Sequence, residues 1–129
     1  MLEIKTERAP KAVGPYSQGV KAGELLFVSG QIPIDPLTGK VIEGTIAEKT
    51  TQVIDNLESV LKEGGSDLTR VVRVDIFLTD LESDFSVVNN VYSNRFTGDV
   101  KPVRQTVEVS KLPLNVNVEM SCIAYLGEE

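Results

Sequence analysis

The last third of the chain, Lys101 to Tyr125, alternates apolar and polar residues in two stretches. This period of two predicts two β-strands, each with one apolar face. Each stretch carries one charge among apolar neighbours: Arg104 near the start of the first, and Glu119 between Val118 and Met120 in the second. Sequence proximity alone predicts that the two strands pair as a hairpin. A guanidinium and a carboxylate held on rigid strands can fix a small anion and place a water beside it.

The chain has no histidine and a single cysteine, Cys122. Nucleophile pairs of the Ser–His and Cys–His type are therefore excluded, as are zinc sites built on histidine or several cysteines. The sequence also lacks a G-x-x-x-x-G-K-[ST] loop, a G-x-G-x-x-G turn and calcium-loop spacing. We expect neither a metal nor a cofactor, and we interpret Cys122 as a small core residue.

The length of 129 residues predicts a single domain over residues 1–129, and the composition of 41% hydrophobic and 25% charged residues is that of an ordinary globular domain. The formal net charge of -6 repels a phosphate backbone, so nucleic acid is not an expected partner. The N-terminus has no apolar stretch typical of a signal peptide, and no apolar run reaches membrane-spanning length. With one cysteine, these features predict a cytoplasmic protein with no membrane partner.

The strand pattern begins with Tyr16 to Lys21 and Leu25 to Ser29, which predict a hairpin, and continues with a turn over Asp35 to Lys40. A further strand is predicted over Arg70 to Thr79. One face of that strand is apolar, comprising Val72, Val74, Ile76 and Leu78.

Two helices are predicted. The first begins with a capping box formed by Thr45 and Glu48 and ends at Gly64-Gly65. The second runs from about Ser83 to Phe96, with Phe85, Val88, Tyr92 and Phe96 facing inward. Two helices cover only one face of such a sheet. The other face mixes apolar and charged residues, which suits burial against another subunit.

Each candidate site residue has a plainer interpretation. Arg104 can belong to a solvated strand face or a structural ion pair, and Glu119 can pair with a cation at a subunit contact. Tyr16 can be a packing residue whose hydroxyl group is hydrogen-bonded. The segment Ser29 to Gln31 can cradle an anion through exposed N–H groups, or it can be an ordinary turn. The residues alone favour the plainer interpretations.

Several motifs together resemble the RidA (YjgF) family of enamine/imine deaminases over nearly the whole chain. They are A-P-K-A-V-G-P-Y-S-Q-G, V-S-G-Q-I-P-I-D-P-L-T-G-K, I-F-L-T-D-L, V-N-N-V-Y, P-V-R-Q-T-V-E-V-S-K-L-P and V-E-M-S-C-I-A. The resemblance implies an α/β (α+β), chorismate-mutase-like fold: a mixed β-sheet with two helices on one face and a further strand between the last two. It also implies a homotrimer with ligand clefts between subunits.

The resemblance further implies hydrolysis of 2-imino acids and their enamine tautomers, such as 2-aminoacrylate, to 2-oxo acids and ammonia, without a metal or cofactor. It makes Arg104 the carboxylate anchor and Glu119 the acid that positions water. The other substrate-binding positions are Tyr16, Gly30, Asn89 and Thr106. Many members have cysteine where this chain has Thr106. Two alternatives stay open: a non-enzymatic trimer that binds small 2-oxo acids, and an RNA-directed ribonuclease or translation inhibitor.

Overall fold

The computed structural model describes residues 1–128 as a mixed sheet with helices on one face. The elements, in chain order, are β1 (Leu2–Ile4), β2 (Gly19–Ala22), β3 (Leu25–Gln31), β4 (Ile34–Asp35), β5 (Lys40–Val41), α1 (Ile46–Glu63), β6 (Val71–Leu78), α2 (Leu81–Arg95), β7 (Val103–Glu108) and β8 (Val118–Tyr125). Short 3-10 turns lie at Leu68–Arg70 and Pro113–Asn115. Neither α1 nor α2 has the length and apolar character needed to span a membrane.

The six-stranded sheet has the order β1-β2-β3-β8-β6-β7. All neighbours are antiparallel except β6 and β7, which are parallel because α2 connects them as a crossover. Strand β6 separates β7 from β8, so the hairpin expected from sequence proximity is wrong and the intervening strand implied by the resemblance is confirmed. The mixed sheet with two helices on one face is likewise confirmed.

The core lies between the helices and the face of the sheet that we call the covered face. Helix α1 contributes Val53, Ile54, Leu57, Val60 and Leu61, each 0% exposed. The covered face contributes inward residues such as Leu26, Val74, Ile76, Met120 and Ala124. Cys122 is buried there, and burial raises the pKa of its thiol to about 12. Its interpretation as a core residue is confirmed.

The opposite face, which we call the open face, has no helix over it within residues 1–128. It carries the partly buried or exposed side chains of Val20, Leu25, Phe27, Phe77, Val107, Glu119 and Ile123, with an ion pair between Arg73 and Asp75 at 3.1 Å. The apolar residues Phe27 and Val107 are each 41% exposed. The predicted mixture of apolar and charged groups is therefore present.

Helix α1 begins as predicted. The Thr45 hydroxyl accepts a hydrogen bond from the Glu48 N–H at 3.2 Å, and the Glu48 carboxylate accepts from the Thr45 N–H at 3.0 Å. Hydrogen bonds to the Glu48 carboxylate, first from the Thr45 backbone N–H and then from the Thr45 side chain, lower the pKa of Glu48. The helix ends at Glu63, and Gly65 then adopts a φ of +89° that favours glycine.

Three local predictions were wrong. Tyr16 is not in a strand, since β2 begins at Gly19. A bulge opposite β8 breaks the alternation at the start of β6, so Val72 is exposed and Val71 is buried. Helix α2 runs from Leu81 to Arg95, and Phe85 is 37% exposed, outside the buried stripe.

Candidate functional site

Arg104 lies on β7, the edge strand of the sheet. It pairs with buried Val74 and so shares the covered face, where it meets helix α2. The Nη1 group of Arg104 donates to Oδ1 of Asn89 at 2.7 Å. The guanidinium carbon lies 4.8 Å from the ring centroid of Tyr92 and 5.8 Å from that of Phe85. The Asn89 contact uses one of five N–H donors, so the fork can also bind a carboxylate.

Thr106 lies two residues further along the same face, paired with Ile76. Its hydroxyl oxygen is buried, and within residues 1–128 it has no hydrogen-bond partner. Native structures rarely leave a buried hydroxyl unpaired, so this group marks a place for a ligand or a neighbouring chain. A pocket of about 280 Å³ adjoins Arg104, lined by Asn89, Tyr92, Ser93, Phe96, Lys101, Pro102 and Arg104.

Glu119 lies on β8 and pairs with Phe77, which places it on the open face. It is partly buried, and desolvation raises the pKa of its carboxyl above the ordinary 4.5. A carboxyl shifted in this direction exchanges protons closer to neutral pH than an exposed one does.

Gly30 lies directly against Glu119. A Cβ added at Gly30 would be 2.7 Å from Oε2 of Glu119, so glycine is what admits the carboxylate to this position. Pairing with β8 shifts register between Val28 and Gln31, so Gly30 sits in a β-bulge inside β3. The interpretation of this segment as an ordinary turn at the end of the strand was therefore wrong.

Tyr16 lies in the loop before β2 and is 50% exposed, with its phenol oxygen accepting from the Val13 N–H at 3.4 Å. The loop is tied to the bulge because Ser29 donates its N–H to the Gln18 carbonyl at 2.9 Å and its hydroxyl to the Ser17 carbonyl at 2.5 Å. Tyr16, Gly30 and Glu119 thus belong to one structural unit. An open groove of about 780 Å³ runs along this loop.

The six predicted site residues form two separate groups. Asn89, Arg104 and Thr106 meet on the covered side of the sheet edge, and we call them the anchor group. Tyr16, Gly30 and Glu119 lie around the bulge and the open face, and we call them the carboxylate group.

Arg104 and Glu119 stand two strands apart on opposite faces. Their partners on β6, Val74 and Phe77, are three residues apart. Strand geometry separates them by about 10 Å across the sheet and about 10 Å along it. One chain cannot bring both groups to one small molecule.

Two positions that matter for this geometry were missed. Tyr92 was interpreted only as core packing, although Phe85, Asn89 and Tyr92 share one helical face at spacings of four and three, which could have revealed it. Gln18 is buried, and its side-chain amide donates to the carbonyls of Thr6 and Pro10 at 3.0 and 2.8 Å. No local pattern predicts that tertiary contact. Among residues 1–128, no three His, Cys, Asp or Glu side chains are grouped to hold a metal ion.

Comparisons with known proteins agree on one family. The sequence profile of the family described as Endoribonuclease L-PSP matches residues 6–126. The chain is 43% identical to the chloroplastic Reactive Intermediate Deaminase A of Arabidopsis thaliana, over 95% of this chain and 65% of that protein. Among solved structures, a putative endoribonuclease of Thermotoga maritima has a TM-score of 0.94 at 48% identity, covering 99% of each chain. TdcF of E. coli, solved with bound serine, has a TM-score of 0.91 at 34% identity, covering 98% of this chain and 100% of that one.

Proposed function

The chain belongs to the RidA (YjgF) family, and from that premise we propose that it is a hydrolytic deaminase of 2-imino acids and their enamine tautomers. The products are a 2-oxo acid and ammonia. The observation that carries the proposal is the Arg104 guanidinium, oriented at the sheet edge by Asn89 at 2.7 Å and available to a small carboxylate. Serine bound to the relative TdcF is a ligand with a carboxylate and a nitrogen on the adjacent carbon.

The proposed reaction needs positioning more than a strong nucleophile. A protonated imine carbon is already electrophilic, so a water molecule adds to it and forms a carbinolamine. Glu119 accepts a proton from the attacking water and passes it to the nitrogen. As the carbonyl forms, the nitrogen leaves as ammonia and the carbinolamine hydroxyl gives its proton to the Glu119 carboxylate. Arg104 holds the substrate carboxylate throughout. Holding both reactants in place accounts for a large share of the lowered barrier. Neither step requires histidine, metal or cofactor.

Because Arg104 and Glu119 lie on opposite faces, we propose that the working site forms where the anchor group of one copy meets the carboxylate group of another. A homotrimer in which the subunits pack together through their open faces provides three such clefts. The exposed apolar residues of the open face, including Phe27 and Val107, supply surface to bury in that contact. The open Tyr16 loop would then close the cleft from the side of the carboxylate group.

Subunit complementation tests this proposal. Arg104→Ala and Glu119→Gln are each inactive alone in an assay of ammonia release from enzymatically generated 2-aminoacrylate. If the two are mixed, dissociated and reassembled at equal amounts, about a quarter of the clefts regain an intact Arg104 and an intact Glu119 from neighbouring copies. Mixing without dissociation is the control. Recovery of no activity, with mixed trimers verified by mass spectrometry, would contradict the shared cleft. A wild-type trimer that releases no ammonia would contradict the deaminase function itself.

A further inference from the structure

We propose that Tyr92 is a positioning residue for Arg104: its ring face holds the guanidinium plane so that the fork points at the substrate carboxylate. The inference rests on the proposed function in taking Arg104 as the anchor. Tyr92 also lines the pocket beside Arg104, and the role proposed for it here is its effect on the arginine.

The geometry of the stack supports this role. The guanidinium carbon of Arg104 lies over the Tyr92 ring at 4.8 Å from its centroid, within the range where an aromatic face attracts a cation. The Asn89 oxygen fixes one edge of the same guanidinium at 2.7 Å. The Tyr92 ring restricts the plane of the guanidinium, and the Asn89 oxygen restricts rotation of the guanidinium within that plane. Together they orient a side chain that would otherwise sample many rotamers on an edge strand.

The ring is itself immobilised from behind. Tyr92 is only 8% exposed and stacks on Phe96 with centroids 4.3 Å apart and an angle of 21° between the ring planes. Phe96 is 2% exposed and belongs to the core. The packing therefore continues from the core through Phe96 and Tyr92 to Arg104, so a rigid part of the fold sets the direction of the charged group.

Within residues 1–128 the contact of Tyr92 with Arg104 is made by the ring and not by the hydroxyl. Its oxygen is buried and has no hydrogen-bond partner within residues 1–128. Burial raises the pKa of the phenol, with the Arg104 charge acting in the opposite direction, so the ring stays neutral at pH 7. The part of Tyr92 that makes a specific contact is its face. Phenylalanine should therefore replace it, and leucine should not.

Paired variants test the proposal. In Tyr92→Leu the apolar volume is largely kept and the ring face is lost, while Tyr92→Phe keeps the face and removes the unpaired hydroxyl. We expect Tyr92→Leu to weaken binding of 2-oxobutanoate, measured by calorimetry, by about 2- to 30-fold. Tyr92→Phe should stay within about twofold of wild type. Because the carboxylate contact exists in both the bound ground state and the transition state, Tyr92→Leu should raise KM and leave kcat nearly unchanged.

A direct signal of the stack comes from NMR of the arginine Nε–Hε group, assigned to Arg104 by its disappearance in Arg104→Lys. A proton above a ring face is shifted upfield, so the Arg104 signal should be upfield in wild type and Tyr92→Phe and should lose that shift in Tyr92→Leu. Val88→Ala is the matched control, since Val88 lies one turn earlier on α2, is 1% exposed and belongs to the core. It should lower the melting temperature without moving the Arg104 signal or KM.

The outcomes separate the two proposals. If Tyr92→Leu folds, assembles and binds 2-oxobutanoate as wild type does, or if Val88→Ala raises KM equally, the positioning role is refuted and the deaminase function stands. If wild type releases no ammonia but the binding losses follow the predicted pattern, the positioning role stands and the reaction is refuted. If wild type neither binds nor hydrolyses, both are refuted. If Tyr92→Leu fails to fold, Tyr92→Phe decides: loss of the upfield shift or of binding in that variant refutes the role, and retention of both supports it.

Discussion

Replacement of Gly30 by alanine should separate activity from stability. The new Cβ would lie 2.7 Å from Oε2 and 3.0 Å from Cδ of Glu119, whereas ordinary contacts begin at 3.4 Å. The carboxylate must therefore move by about 0.7 Å or turn away, which it can do because it ends a flexible side chain. Since Gly30 does not have a left-handed φ, the backbone accepts alanine, and the free energy of unfolding should change by less than about 1 kcal/mol.

The effect on turnover should be much larger. Displacing a catalytic group by about 1 Å can cost about 100-fold, so we expect kcat to fall about 10- to 100-fold in Gly30→Ala. Ammonia release from 2-aminoacrylate, measured under saturating substrate, gives kcat, and thermal unfolding gives stability. Light scattering checks that the assembly is unchanged.

Gly23→Ala is the converse control. Gly23 has a φ of +60° and open space around it, so an added Cβ strains the backbone without touching a neighbour. It lies in the turn before Leu25, which pairs with Tyr125, so it is roughly 20 Å along the sheet from Glu119. We expect it to lose about 1–2 kcal/mol of stability and keep its turnover. Wild-type turnover in Gly30→Ala would refute the claim that Glu119 works from its place against Gly30.

Four further outcomes are expected. Arg104→Lys keeps the charge but loses the planar fork, so kcat/KM should fall by about 10- to several hundredfold with the melting temperature unchanged; intact hydrolysis in Arg104→Ala would contradict the anchor role. Thr106→Cys should retain hydrolysis, because the sizes match; complete loss would assign the threonine hydroxyl a direct role. Leu114 is 69% exposed at a φ of 56°, so Leu114→Asn should raise the melting temperature by about 3 °C, and a decrease in calorimetry would contradict the strain argument. Burial raises the pKa of Glu119 above 4.5, so the stability that this group contributes is present below pH 4.5 and is lost as the pH rises. Glu119→Gln should therefore melt at a higher temperature than wild type at pH 7 and at the same temperature near pH 4, and its turnover should be far slower. A lower melting temperature for the variant at pH 7 would contradict this sign.

Local chemistry explains which parts of the fold were predictable. The capping box of Thr45 and Glu48 and the turn glycine Gly39 act within a few residues, and the structure has both as expected, with Gly39 at a φ of +73°. The core stripe of α1 follows from helical spacing alone. In each case the feature is determined by residues close to it in sequence, without a contribution from a distant segment.

Register and bulges could not be predicted in this way. The alternation from Val72 to Leu78 predicted one apolar face, but an extra residue at the start of β6 turns Val72 outward and Val71 inward. The bulge that places Gly30 against Glu119 also depends on β8, which is about 90 residues away in sequence. A period of two contains no information about where a distant partner strand inserts an extra residue.

The separation of Arg104 from Glu119 illustrates the same limit at the level of the site. Both residues were identified from strand position and from the family resemblance. Their faces follow from the insertion of β6 between β7 and β8, which is a property of topology. The sequence therefore predicts the candidate groups, while the structure adds that Arg104 and Glu119 lie on opposite faces of the sheet.

The charge of the site bears on the ribonuclease alternative that the family description raises. A single carboxylate needs one oriented guanidinium, which Arg104 supplies. An RNA strand adds one negative charge per nucleotide and binds mainly through several lysine or arginine contacts to its phosphates. The neighbouring cation Lys101 already donates to the Gly98 carbonyl at 2.9 Å, and the chain has a net charge of -6. This negative net charge repels a polyanion at long range, whereas a small monoanion needs only the local positive charge of Arg104. The electrostatics around Arg104 therefore favour the proposed imino-acid substrate over an RNA backbone.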